Sequence, residues 1–343
     1  MPPHESLFRT ATRSFLRSFS LILGLAFAVF IVSVAISSLS SNERQPDHGD
    51  LVVCADAQGH RALLSPHAPI ILRLDIEGII GTEDLTAEKF QNLLYDTLDE
   101  PLKGRIKALF LYVNTPGGTA IDAASIYHAL ALYKQTHQIP IYAFVEGLCA
   151  SGGMYICAAA DQIHATDASV IGSVGVLLGP SFNFSGLMEK IGVEALTITQ
   201  GKDKDALNPF RPWKAGEDAS IPMITKELYD EFVSVVTTGR PQLSRDRLIN
   251  DYGAHVFLAK TAASYGYIDA SNATYATTMK ALADKVGLQD GTYQVFALRP
   301  TENFFAQLAQ SSTKLLQGKI EHTLRTNALP KELEGQFLYL YQP

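Results

Sequence analysis

Two stretches decide the fold: residues 108–118, ALFLYVNTPGG, and residues 140–153, PIYAFVEGLCASGG. Each is a short apolar run rich in β-branched and aromatic residues that ends in a glycine-rich turn, the pattern of a buried strand closing on a loop. Between them Ala123, Ile126, Tyr127, Leu130 and Tyr133 recur at helical spacing. Upstream lies another apolar run, IILRLDI, from Ile70, followed by a helical stretch from Ala87 to Asp99. Strand and helix in alternation predict an α/β domain with a mostly parallel sheet. After the second turn the chain continues with a small-residue helix (GGMYICAAAD), a short strand at QIHA and a strand at ALTIT, residues 195–199. Leu228, Tyr229, Phe232, Val235 and Val236 then mark an amphipathic helix.

Both turns stand where strands end, which is where open α/β sheets collect ligands. In the first, Pro116 fixes one φ, and Gly117 and Gly118 expose backbone N–H groups of the kind that stabilise an oxyanion. In the second, Ser151 opens a helix, so its Oγ lies close to N–H groups without intrahelical partners. Ser151 taken by itself reads equally as an N-cap with glycines for close packing. The pairing of the two turns favours chemistry.

Residues 19–39, FSLILGLAFAVFIVSVAISSL, carry no charge, and about 20 apolar residues span a bilayer as a helix. Arg9, Arg13 and Arg17 precede this run, so the positive-inside rule sets the N-terminus in the cytoplasm and the rest of the chain outside. A cleaved signal peptide ending in the serine-rich run 37–41 is the competing reading. The division expected is a basic N-terminus over 1–18, a transmembrane anchor over 19–40, a tether over 41–68, an α/β domain holding both turns over 69–292 and a helical extension with tail over 293–343. A net charge of −7, with no dense basic block beyond the N-terminus, argues against nucleic acid as a partner. Three cysteines without a C-x-x-C pair, and nine histidines without a metal-binding spacing, indicate no metal site, disulfide framework or cofactor. Cys149 and Cys157 read as core fillers, and His128 and His164 as structural.

TPGG after one strand and ASGG after the next resemble the signal peptide peptidase A family, also called protease IV, which shares the Clp protease/crotonase fold. The resemblance runs through Asp75-Ile76-Glu77-Gly78, Gly172-Ser173-Val174-Gly175-Val176, Gly201-Lys202-Asp203-Lys204-Asp205, Asn208-Pro209-Phe210 and the stretch from Ala263 to Asp269, about 220 residues. Met154 stands where the family commonly has tyrosine, and Thr115 where it has serine. The resemblance implies repeated β-β-α units and a Ser-Lys dyad, with Ser151 as nucleophile, Lys204 as general base and the N–H groups of Gly118 and Gly152 as the oxyanion hole. It also implies a membrane-anchored endopeptidase acting on hydrophobic peptides such as cleaved signal peptides. A homo-oligomer, an octamer, would supply the lysine across the interface. A free lysine titrates near about 10.4, so acting as a base at neutral pH requires a closed apolar site that destabilises its charge by about 4 kcal/mol. Lys202, two residues away, is the competing base. A crotonase-type acyl-CoA enzyme and a catalytically inactive membrane scaffold are the alternatives.

Overall fold

The structure is a computed structural model that describes residues 7–40, 49–83, 85–300, 333 and 336–341. The chain divides into two units, residues 1–48 and 49–343. In the first, helix α1 (Leu7–Ser40) is 34 residues long, and its segment Thr12–Val32 is long and apolar enough to cross a membrane. Phe15, Phe19, Leu21, Phe27 and Phe30 all stand exposed on it. The apolar segment begins earlier than the expected residue 19 and takes in Arg13 and Arg17. The same length and composition suit a signal sequence.

The second unit is built on an eight-stranded sheet among the described residues. Its strands are β1 (Asp50–Val53), β2 (Ile70–Glu77), β3 (Ile106–Thr115), β5 (Ile141–Ala150), β6 (Gln162–Ala165), β7 (Val170–Gly172), β8 (Val256–Leu258) and β9 (Gln294–Arg299), while β4 (Gly117–Thr119) and β10 (Leu338–Leu340) form a separate pair. The order is β1-β9-β2-β3-β5-β7-β8, with β6 also on β5. Pairings among β2, β3, β5, β6, β7 and β9 are parallel, and the edge strands β1 and β8 run antiparallel. Around the sheet lie α2 (Ala87–Asp96), α3 (Ala120–His137), α4 (Gly152–Cys157), α5 (Ser185–Ile191), α6 (Ser220–Gly239), α7 (Arg245–Arg247), α8 (Ala259–Tyr265) and α9 (Tyr275–Lys285). The architecture is thus α/β and mostly parallel, and β3-β4-α3 is a β-β-α unit of the expected kind.

The near-continuous apolar runs of β2, β3 and β5 are buried on both faces. One side packs against α2, α3, α4 and α6 through Leu72, Leu74, Leu109, Ile126, Leu130, Ile156 and Phe232. The other packs against α9 through Ile71, Phe110, Phe144, Met279 and Leu282.

Three expectations need correcting. The sheet extends beyond residues 69–292: β1 lies in what reads as tether, and β9 lies in what reads as the extension. β9 sits between β1 and β2, and its six-residue run QVFALR is buried over five positions, a core strand too short to announce itself next to a polar tail. ALTIT is no strand. Leu196 and Ile198 are each 88% exposed, and a β-prone run without a neighbouring strand to bond has nothing to hold it in a ladder. The helix expected around TENFFAQLAQSSTKLLQGKIEHTL lies outside the described residues.

Candidate active site

The site is assembled where β3 and β5 stop running straight. Their register slips between Val113 and Thr115, so that Thr115 comes to pair with Cys149. Residues 146–148 bulge outward there, and Gly147 (φ 121°) turns the strand where a side chain would collide with Asn114 Oδ1. Asn114 fastens the bulge by accepting from Leu148 N at 3.1 Å. Beyond it the strand leaves β6 and pairs with β7 instead. This switch carries the chain to Ser151.

Ser151 occupies the N-cap position of α4, yet it makes no side-chain capping bond. Its backbone is at φ 54°, ψ −115°, far from the extended geometry of a capping residue, and such a conformation costs on the order of 1–3 kcal/mol. The surroundings hold it there: Ser151 N donates to Gly172 O at 2.8 Å, and Tyr155 N donates to Ser151 O at 3.1 Å. The residue is 1% exposed. Of the two readings of this serine, strain with an unemployed hydroxyl fits a reactive residue. A structural cap would relax into its bond.

The first turn is held as firmly. Thr115 Oγ1 donates to Gly78 O at 2.6 Å and accepts from Gly117 N at 3.1 Å, so a hydroxyl is what this position uses. Ile80 N donates to Gly117 O, and Thr119 N donates to Ile80 O, both at 2.9 Å. Glycine is compulsory here. A methyl on Gly118 would lie 1.8 Å from Ile80 O, and one on Gly117 (φ 94°) would lie 2.7 Å from Gly152 N. Gly117 therefore lets the two turns meet, and the N–H of Gly152, in the first turn of α4, has no acceptor within its helix. The two turns named in the sequence therefore lie against each other.

Lys204 is not joined to them. It is exposed in the segment between α5 and α6, and no hydrogen bond among the described residues links it to Ser151. Lys202 is 93% exposed and only 4.0 Å from Asp203. The segment is nevertheless organised, by a residue the sequence reading passed over. Arg211 pairs with Asp205 at 2.7 Å and with Glu217 at 2.6 Å, and its hydrogen bonds hold both carboxyls below their ordinary titration range. The Trp213 indole donates to Asn208 O at 3.1 Å. Phe182, Phe184, Phe210, Leu196 and Ile198 all stand exposed on this arm, an unusual concentration of apolar surface.

The remaining polar groups near the site are structural. His164 lies between Gln162 and Thr278, and burial pushes its pKa down. His128 is exposed beside the Tyr127 ring. The Cys149 and Cys157 sulfurs lie 3.5 Å apart, buried, and the Cys149 thiol is raised well above its usual value by its bond to Cys157 and by burial. Asp269, from the end of the family pattern, anchors β6 by accepting from Ile163 N at 2.7 Å and pairs with the buried Arg240 at 2.5 Å. Its role is in the scaffold.

Residues 133–289 match the model of peptidase family S49. A putative signal peptide peptidase SppA of Enterococcus faecium is 35% identical over 176 residues, covering 50% of this chain and 51% of that protein. A Brucella melitensis protein named as the Na(+)/H(+) antiporter NhaA is 34% identical over 182 residues, 53% of this chain and 24% of its own length. The chain thus spans about a quarter to a half of these relatives. Among solved structures, a ClpP1 mutant from Listeria monocytogenes aligns at 12% identity with a TM-score of 0.39, over 59% of this chain and 92% of that one. The matched segment, which holds the second glycine turn, is thus similar to peptidase family S49, and the chain is similar to proteins named as signal peptide peptidase A.

Proposed function

We propose that this chain is a serine endopeptidase in which Ser151 is the nucleophile and Lys204, brought by a second copy of the chain, is the general base. The observation that carries the reading is Ser151 itself: buried, uncapped and held in a strained backbone between two glycine turns. Neutral Lys204 takes the Ser151 proton as Oγ attacks a peptide carbonyl, and the lysinium then protonates the leaving amine. Water repeats the cycle on the acyl-enzyme. The N–H groups of Gly118 and Gly152 stabilise the oxyanion, each donor being worth roughly 10²–10³ in rate.

An exposed lysine on an arm of exposed apolar residues supports delivery in trans, because packing that arm against a neighbour would supply the closed apolar site a lysine base requires. The assembly proposed is a ring, an octamer. The substrates are hydrophobic peptides such as signal-peptide remnants, which suits a chain anchored by α1 in the inner membrane, with its N-terminus cytoplasmic and the second unit periplasmic.

Mixed assemblies test the dyad. Ser151→Ala and Lys204→Ala chains, each inactive alone, are co-expressed with different tags and purified in tandem in detergent. Recovered peptide hydrolysis in the mixed assembly is expected. Failure of the mixture, with an active Lys204→Ala protein and an inactive Lys202→Ala protein, would transfer the base to Lys202.

A further inference from the structure

Two thiols bracket the proposed nucleophile. Cys149 stands next to the end of β5, and Cys157 is the last residue of α4. Between them lie only Ala150, Ser151 and residues 152–156 of the helix. Both cysteines are fully buried, and their sulfurs stand 3.5 Å apart with the Cys149 S–H donating to Cys157. Cys54, the remaining cysteine, packs on the opposite face of the sheet with Phe110 and Met279. As thiols the pair fills core space. The same packing leaves the two sulfurs about 1.5 Å short of a disulfide, in which they would stand at about 2.05 Å.

The segment that must absorb this closure is tightly held. Cys149 is fixed by its pairing with Thr115 on one side and Ile171 on the other. α4 is buried at every position, and a methyl on Gly153 would stand 2.7 Å from Thr115 Cγ2, so the helix has no room to slide toward β3. Drawing Cys157 toward Cys149 therefore tilts α4. The other end of that short helix carries the strained Ser151 and the Gly152 N–H. A misplacement of about 1 Å at a reacting centre costs about 10²-fold in rate.

We propose that Cys149 and Cys157 are a redox modification site, at which a small disulfide from the surrounding compartment converts the pair to an intramolecular disulfide and switches off Ser151. The inference rests on the reading of Ser151 as nucleophile given above. Thiol–disulfide exchange of this kind belongs to oxidising compartments, such as the one proposed for the second unit. Cys157 is the attacking sulfur, because its bond from Cys149 and burial together keep the Cys149 thiol protonated. The Cys157 thiolate attacks the reagent RS–SR, the reagent's S–S bond breaks, and RS⁻ leaves. Cys149 then gives up its proton and attacks the Cys157 sulfur of the mixed disulfide, expelling the second RS⁻. The pair loses two electrons and two protons, and the reagent departs as two RSH. With both sulfurs buried, the exchange follows local opening of α4, and a dithiol reductant reverses it.

The test reads the covalent change and the activity separately. The detergent-solubilised full chain carrying Cys54→Ala is treated with 2-hydroxyethyl disulfide, assayed with a fluorogenic peptide, and digested without reduction for mass spectrometry. The expected result is a loss of two hydrogens from the peptide holding both cysteines, a fall of at least tenfold in kcat, and recovery of activity with dithiothreitol. A chain carrying Cys157→Ala as well keeps only the protonated Cys149, and the treatment should leave it within threefold of its own untreated activity. If that variant fails to melt cooperatively, Cys157→Ser takes its place with the same expectation. A disulfide that forms while activity stays within threefold overturns the proposal, as does the absence of any disulfide on warming to just below the melting transition. Equal inactivation of the Cys157 variant also overturns it, since the oxidant would then act elsewhere. Disulfide formation in a protein whose reduced form never hydrolyses peptide sinks the peptidase reading and leaves the modification site standing.

Discussion

Gly117→Ala probes the meeting of the two turns with the smallest possible change. At φ 94° an alanine costs about 1–2 kcal/mol of backbone strain, as L-residues do on that side of the map. Its methyl would stand 1.9 Å from Tyr339 O and 2.7 Å from Gly152 N. A carbon-to-oxygen contact relaxes only near about 3.3 Å, so a carbonyl in that place must retreat by more than an ångström, beyond hydrogen-bond reach of the turn. Losing an oxyanion donor lowers kcat by about 10²–10³. The stability loss stays near the strain value, because β10 can shift as a whole. Gly118→Ala differs, for its methyl meets Ile80 O at 1.8 Å and Ile80 C at 2.6 Å, backbone fixed in the core, and it should destabilise the fold. Gly152→Ala is milder again, with nearest approaches of 3.1–3.3 Å. The three variants, compared by hydrolysis of a fluorogenic peptide and by thermal melting, should therefore separate: Gly117→Ala folded and inactive, Gly118→Ala unstable, Gly152→Ala folded with partial activity. A folded Gly117→Ala protein within threefold of wild-type activity would refute the convergence of the turns on the reacting carbonyl.

Replacing Ser151 by glycine releases its strained backbone, so this variant should be about 1 kcal/mol more stable than wild type in chemical denaturation while losing all hydrolysis. Asp269→Ala strands the buried Arg240 guanidinium and should cost about 3 kcal/mol by the same assay, whereas Lys226→Ala, in an exposed pair, should change less than about 0.5 kcal/mol. Arg211 holds Asp205 and Glu217 below their ordinary range, so their contribution is complete above about pH 5.5, declines below the unfolded values and disappears as pH falls through their folded values. The only tryptophan, Trp213, sits in this arm, and its emission should shift on acidification; in Arg211→Gln the shift should come at higher pH. His164 is pushed down by burial, so the unfolded chain binds its proton more readily, and stability should fall as pH drops through about 6.5. His164→Asn should flatten that part of a Tm profile.

The parallel core was legible because β2, β3 and β5 are continuous apolar runs ended by glycine turns, a signal of local composition. Both glycine turns of the candidate site were legible for the same reason, since TPGG and ASGG lie at strand ends. What local sequence cannot carry is partnership across the chain. β9 is an unremarkable hexapeptide that becomes a core strand only because β2 and the distant β1 flank it. ALTIT has strand composition but no neighbour to pair with. Arg211 and Arg240 carry no signal in the sequence, because their acids, six and 29 positions away, meet them only in the fold. Residues 338–340 fall in what reads as the tail, and their place as a strand against β4 emerges only in three dimensions. The strain at Ser151 is likewise invisible in sequence, where serine before two glycines resembles any N-cap.

The central claim is that Ser151 is a nucleophile. Detergent-solubilised full-length protein, treated with a fluorophosphonate probe and digested for mass spectrometry, tests it most directly. The account predicts a single adduct on the peptide containing Ser151, absent from Ser151→Ala. Labelling that survives in Ser151→Ala, or that never reaches Ser151 in any folded variant, would contradict it.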